Sequence, residues 1–532
     1  MQNQGQAPFL GGLGLAVLSG WGLYLALSFQ KLGLLAWVAL VPLVLAQFLL
    51  APDDRSSRFY QAVTYTLGIG LTVLVAFPPD LVHSPIPLTV PVAVVVLLVG
   101  GLVYLVGLPT GLPSFHRRTG FSFFVIGPAL TWVGFEFLRM HLQLGHIWGL
   151  LATSQQDYPS IWRLAALGGP WLPSFFIVAV NYALGLAGIA LLSPRDRSAR
   201  RPALFSMLAL VPLVGGVFAW RAGHEPEAYA QVRVAAIQPG AELGDVYDYH
   251  WCWYKRDWEG LSREIIPDMA SWTRLAATQG AELIVWPEAT LWLDPRTDPW
   301  SKEQLLDLAR ETGAILAVPY FILTPEGNIS WWLGFAPGMR NEVVLVTPQG
   351  ELLDPYAKSH PISFIGERSS TRGLEPIHPL PWGQVGSMLG YDTAFTDTAR
   401  RQAGRGAQLL TLSTHDWIQM SSSYGAHTCL RAVENGLAVI KADWEVGSLI
   451  VDPWGQILAA APDDHETEAI LVADVPLLPP GGTPYTHLGD WLGYGCLLGM
   501  VGFLTLARLR RFRQGRAPVN SESSAGRLEQ AH

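Results

Sequence analysis

Two hydrophobic rhythms divide this chain. Up to about residue 221 the apolar residues form long stretches, each close to the ~20 residues that a helix needs to cross a bilayer, at about 8–28, 32–50, 60–79, 87–109, 119–138, 171–193 and 203–221. An eighth stretch, HLGDWLGYGCLLGMVGFLTLARL, follows at about 487–509. The first, GGLGLAVLSGWGLYLALS, has no basic segment before it and leads at once into another span, so it reads as a retained helix rather than a cleaved signal.

From Val232 the period shortens. VRVAAIQP, AELIVWPE, AILAVPYFIL, NEVVLVTP, GQVGSML, QLLTLS, LAVIKADW, GSLIVDP and AILVADV are brief β-branched runs bounded by turn residues, PQG and PWG among them. Amphipathic stretches such as REIIPDMASWTRLAATQ, SKEQLLDLARETG and TCLRAVENG lie between them. Strands without a polar face, alternating with such helices, predict sheets covered by helices in a layered α/β domain. The expected organisation is a seven-helix membrane domain over 1–221, an α/β domain over 222–486, a membrane helix over 487–509 and a polar tail over 510–532 that is disordered.

Composition agrees: of 532 residues, 50% are hydrophobic and only 15% charged, too apolar for a wholly soluble chain. Arginines gather between the spans, at Arg55 and Arg58, at Arg117 and Arg118, at Arg195, Arg197, Arg200 and Arg201, and after the last span at Arg508, Arg510, Arg511, Arg513 and Arg516. By the positive-inside rule these segments face the cytoplasm, and an odd number of preceding spans then places 222–486 on the extracytoplasmic side of the cell membrane. Net charge is −8, without a nucleic-acid signal. Cys252, Cys429 and Cys496 show neither CxxC spacing nor a disulfide framework, and no cofactor or metal is called for.

Chemistry is sought at strand ends. Glu288 closes the apolar run AELIVWPE, where partial desolvation favours its neutral acid, while a nearby Lys358, in YAKSH, would pull the other way. Taken singly, Glu288 reads as a solvated turn residue and Lys358 as a surface lysine. Cys429 reads as a helix-packing residue, and Ser387, inside a strand, offers no nucleophile. The apolar segment 136–159, interrupted by Arg139, His141 and His146, is either an amphipathic loop on the membrane surface or one wall of a lipid or peptide cleft.

Taken together, these residues resemble the carbon–nitrogen hydrolase (nitrilase) superfamily. Trp286-Pro287-Glu288 is similar to its strand-ending WPE, Tyr356-Ala357-Lys358-Ser359-His360 to its YxKxH, and Phe364-Ile365-Gly366-Glu367 to its Phe-Gly-Glu loop with one extra residue. Arg431, Ala432, Glu434 and Gly436 follow its RAxExG, and Asp452-Pro453-Trp454-Gly455 its DPxG turn. With seven spans before and one after, and with EFLR at 136–139 and VNYAL in the sixth span, the chain resembles the apolipoprotein N-acyltransferase family.

That resemblance implies an αββα nitrilase-like sandwich outside the cytoplasm and a site of Glu288, Lys358 and a nucleophile, with Glu367 as a supporting carboxylate. It implies that a thiolate attacks an acyl carbonyl, the glutamate carries the proton and the lysine stabilises the oxyanion. Phospholipid is the implied acyl donor and a lipoprotein amine the acceptor. The chain departs from the pattern at the nucleophile: where the family reads approximately ICYE, it has Leu389-Gly390-Tyr391-Asp392. Gly390 offers no side chain for attack and is expected to leave that corner of the cavity open. Two functions compete, an acyltransferase working by an altered or impaired route and a non-catalytic membrane-anchored lipid- or lipopeptide-binding or scaffold protein.

Overall fold

The computed structural model describes residues 6–75, 96, 113–141, 149–223, 226–240, 258–330, 334–362, 367–368, 375–416, 418–462 and 467–514. Among these, four helices are long and apolar enough to cross a membrane: Ala7–Ser28, Gln30–Leu50, Trp171–Leu192 and Pro194–Val217. The apolar helix Trp491–Leu506 is shorter. The span expected at 87–109, but for residue 96, and the tail beyond Gln514 lie outside the described residues. The span expected at 119–138 becomes a helix only at Ile126, running to Met140, because residues 119–125 turn and Phe121 takes φ 62°. The third begins earlier than expected, at Asp54, where Asp53 caps the helix by accepting from Ser56 N at 2.8 Å. Two of the arginine-bearing connections meet in space: Arg117 Nε donates to Asp196 at 2.8 Å.

Among the described residues the α/β domain holds two six-stranded sheets. The first holds β1 (Ala230–Gln238), β2 (Leu283–Val285), β3 (Ile315–Ser330), β4 (Gly334–Val346), β5 (Tyr356–Ala357) and β12 (Ala469–Leu477), in the order β12-β1-β2-β3-β4-β5. The second holds β6 (His378–Leu380), β7 (Gly383–Leu389), β8 (Leu409–Ser413), β9 (Ala438–Ala442), β10 (Leu449–Val451) and β11 (Ile457–Ala460), in the order β11-β10-β9-β8-β7-β6. At the centre of each sheet the strands run parallel, β1-β2-β3 in one and β7-β8-β9 in the other, and the flanking strands are antiparallel.

Both faces of each sheet are buried, which is why the strands carry no polar alternation. Val234, Ala236 and Val285 of the first sheet pack against Leu389, Leu409 and Ile440 of the second. On the outside of the first sheet, Ala235, Ile284 and Leu316 lie under Ile265, Met269 and Leu305 of the helices Trp258–Thr278 and Pro299–Thr312. On the outside of the second, Met388, Leu410 and Val439 lie under Cys429, Leu430 and Val433 of the helix Ile418–Asn435. The same apolar cluster takes in Val133 and Phe137 of the helix Ile126–Met140, Trp171 of Trp171–Leu192 and Cys496 of Trp491–Gln514, so these apolar helices dock on the helical layer of the second sheet. An αββα sandwich results, as the sequence resemblance implied. Segment 150–156 is buried within this junction rather than lying on a surface.

Candidate active site

The site forms where the two central parallel triplets end side by side. Glu288 lies three residues beyond β2, and its main chain is clasped by the other sheet: its N donates to Thr414 O at 3.2 Å and its carbonyl accepts from Trp444 Nε1 at 2.6 Å. Ala289, next in the chain, takes φ 61°, a left-handed turn that redirects the backbone at this point. Lys358 follows β5, with its N donating to Asn341 O of β4 at 2.9 Å.

Lys358 Nζ stands 2.9 Å from Glu288 Oε1 and 2.9 Å from Glu367 Oε2. All three are buried, Glu288 at 6%, Lys358 at 2% and Glu367 at 3% exposure, so this is an enclosed triad rather than a surface pair. The resemblance implied a supporting part for Glu367; in space it contacts the ammonium directly. Asn341, which the sequence reading passed over, donates from Nδ2 to both Glu288 Oε1 and Glu367 Oε1. Its only signal was a polar residue opening the apolar run NEVVLV.

One ammonium among two carboxylates leaves a surplus negative charge in a low-dielectric site. Burial opposes the Lys358 ammonium, but Glu288 and Glu367 outweigh it and hold the lysine above its ordinary value. Burial raises the Glu288 pKa, Lys358 opposes that shift and Glu367 reinforces it. Burial thus favours the neutral acid at Glu288, beside the Lys358 ammonium.

Gly390, the first residue after β7, takes φ +33° and faces this carboxylate: a Cβ added there would stand 3.1 Å from Glu288 Cδ and closer still to Oε2. The structure thus brings Glu288, Lys358, Glu367 and Gly390 together. It also corrects the expectation of an open corner, because the Glu288 carboxylate fills the space that a side chain at 390 would use.

The turn after Gly390 is fixed by Asp392, which accepts from His360 N at 2.8 Å, from Tyr356 OH at 2.5 Å and from Leu389 N at 3.2 Å. His360 stacks on Phe395, with ring centroids 3.6 Å apart, and its two ring nitrogens face Asp392 and Asp397. Burial works against its charge, yet the two carboxylates prevail and raise its pKa. His360 thereby ties the lysine loop to the glycine turn.

A second buried ionic centre lies alongside, at the ends of β8 and β9. Lys441 Nζ is 2.7 Å from Asp416 Oδ2 and 3.1 Å from Asp443 Oδ2, and donates to Gly447 O at 2.8 Å. Burial, with the like charges of Asp443 and Glu288 added, outweighs Lys441 and pushes Asp416 up to about 8. The pairing depends on β8 and β9 lying side by side, which no local pattern in the sequence shows. The described cysteines stand apart: Cys429 is packed on the outer face of the second sheet, where burial raises its thiol pKa, and Cys496 is in the last helix. Ser387 is held inside β7 by Thr411 Oγ1 at 2.8 Å. Cys252 lies outside the described residues. Among the described residues no group of three or more His, Cys, Asp and Glu side chains could hold a metal ion.

Residues 233–478 match the carbon-nitrogen hydrolase family, and residues 19–183 match the apolipoprotein N-acyltransferase N-terminal domain. The apolipoprotein N-acyltransferase of Geobacter metallireducens is 27% identical, across 93% of this chain and 95% of that one. That of Gloeobacter violaceus is 26% identical, across 94% and 95%. Among solved structures, an amidase of the nitrilase superfamily from Nesterenkonia AN1 is similar at 20% identity and a TM-score of 0.35, covering 55% of this chain and 100% of its own.

Proposed function

Carrying the N-terminal domain of the apolipoprotein N-acyltransferases ahead of a carbon–nitrogen hydrolase domain, this chain is, we propose, an apolipoprotein N-acyltransferase-like membrane protein whose acyl transfer from phospholipid to lipoprotein is impaired or altered at its covalent step. The observation that carries this reading is a Glu288–Lys358–Glu367 triad complete in its charges but facing Gly390, which has no atom with which to attack. Lys358 is placed to stabilise an oxyanion and Glu288 to move a proton. Without a thiol at 390 no thioester forms there, and any transfer proceeds by direct attack of the acceptor amine on the lipid ester: the amide C–N bond forms, the ester C–O bond breaks, and Glu288 takes the amine proton and returns it to the departing lysophospholipid oxygen. Loss of a covalent nucleophile removes most of such an enzyme's rate. In this reading 1–221 and 487–509 form the membrane part, 510–532 is a cytoplasmic tail and 222–486 faces the extracytoplasmic side.

The same glycine favours a second reading, a non-catalytic protein that binds lipid or lipopeptide. Full-length protein in phospholipid vesicles, offered a diacylglyceryl-cysteine lipopeptide, separates the two by mass spectrometry. Slow N-acylation that disappears in Glu288→Gln supports altered transfer, and lipopeptide affinity without product supports the binding protein. Rapid build-up of a covalent acyl-protein in the native chain sinks both.

A further inference from the structure

Between the membrane helices and the α/β domain lies a cavity of about 200 Å³, away from the residues of the triad. Its walls come from the end of the first membrane helix and the start of the second (Ser28, Gln30), the end of the third (Thr72), the buried segment 149–156 and the helix Ile418–Asn435. Gln30 Nε2 donates to Ser422 Oγ at 2.9 Å, closing one side by joining the two domains. Ser422 and Ala426 of the Ile418–Asn435 helix line the cavity, whereas the Tyr424 hydroxyl, raised by burial, also feels the charges of Asp416 and Glu288. That helix thus stands between the cavity and the catalytic residues.

Four features define what fits. The space is more than ten times the roughly 10–15 Å³ that admits one water. Among the described residues no charged side chain lines it, so a phosphate would enter without a neutralising partner. Its polar lining is rich in acceptors: Thr72 and Thr153 already spend their protons on Gly68 O and Leu150 O, at 2.8 and 2.7 Å. Gln156, only 6% exposed, keeps an Oε1 with no hydrogen-bond partner among the described residues, and a buried acceptor left unpaired is costly. The rim is apolar: Phe29 and Val75 line the cavity and are yet 51% and 56% exposed, at the ends of membrane helices.

We infer that this cavity is a second lipid site, distinct from the triad, that takes the uncharged, hydroxyl-bearing glycerol head of a membrane lipid, with Gln156 Oε1 accepting from the hydroxyl and the acyl chains leaving past Phe29 and Val75. The inference goes beyond the proposed function and does not depend on acyl transfer.

The test uses full-length protein in phosphatidylcholine nanodiscs with a photoreactive diacylglycerol. Labelling is expected to map to peptides containing Thr72 or Gln156, to fall at least fivefold in Gln156→Leu and several-fold in the near-isosteric Thr72→Val, and to persist in Glu288→Gln. Unlabelled diacylglycerol is expected to compete, free glycerol at millimolar concentration is not. Unchanged labelling in both cavity variants while their thermal unfolding matches the native protein overturns the inference, as does equal competition by phosphatidylglycerol or by free glycerol. Absence of acyl transfer by the native chain with labelling intact sinks the acyl-transfer reading alone.

Discussion

Replacing Gly390 by Cys supplies the missing sulfur and at the same time measures how tightly the site is closed. The new Cβ would sit 3.1 Å from Glu288 Cδ and nearer to Oε2, on a backbone at φ +33°. The left-handed backbone costs roughly 1–2 kcal/mol for a residue with a side chain. Moving the Glu288 carboxylate aside weakens its 2.9 Å bond to Lys358, and a charge-assisted hydrogen bond is worth roughly 1.5–3 kcal/mol. Because the end of a glutamate is flexible, part of this is recovered, and a net loss of about 2–4 kcal/mol is expected. For a domain of this size that lowers the thermal midpoint by about 5–10 °C. Gly390→Ala separates packing from chemistry: it loses the same stability and gains no reactivity. Calorimetry reads the midpoint, and mass spectrometry of protein incubated with phospholipid vesicles reads a covalent acyl adduct. An adduct in Gly390→Cys but not in Gly390→Ala identifies the covalent step as the one that is missing. Native-like midpoints in both variants would refute the reasoning, since the carboxylate could not then be standing against position 390.

Lys358→Met leaves Glu288 and Glu367 buried without their cation and is expected to cost about 3–5 kcal/mol at neutral pH; since a Glu288 pKa raised in the fold makes stability fall as pH climbs through it, thermal unfolding should show a smaller deficit near pH 5 than near pH 8. For Asp416, raised from 3.8 to about 8, the contribution to stability is complete below the ordinary value and is lost as pH rises towards the folded one, so Asp416→Asn should flatten the midpoint's decline over that interval. A steeper decline in the variant would contradict this assignment. His360 has the same sign: its raised pKa supplies stability below about pH 6.5 that disappears as pH rises through the folded value. His360→Gln is accordingly expected to lose more stability at about pH 6 than at about pH 9, and a pH-independent loss would show that its stacking on Phe395 matters and its charge does not.

Much of the architecture was legible because apolar periodicity is a local property. Long unbroken runs gave the helices at Ala7–Ser28 and Trp171–Leu192, and short β-branched runs gave β1, β7, β8 and β9, strands whose two faces are both covered. Edge strands of two to four residues, β5, β6 and β11, were missed because so short a segment has no period of its own and exists only by pairing with a neighbour. The residues Glu288, Lys358 and Glu367 could be named from their motifs, as could the absence of a side chain at Gly390. Their contacts could not. Only the meeting of two sheets decided that Glu367 touches Lys358, that Asn341 bridges both carboxylates, that Lys441 gathers Asp416 and Asp443, and that the Glu288 carboxylate lies against the glycine. Residue type and sequence order determine which charges are available; which of them share one low-dielectric volume, and therefore which carries the proton, depends on distances between residues far apart in the chain.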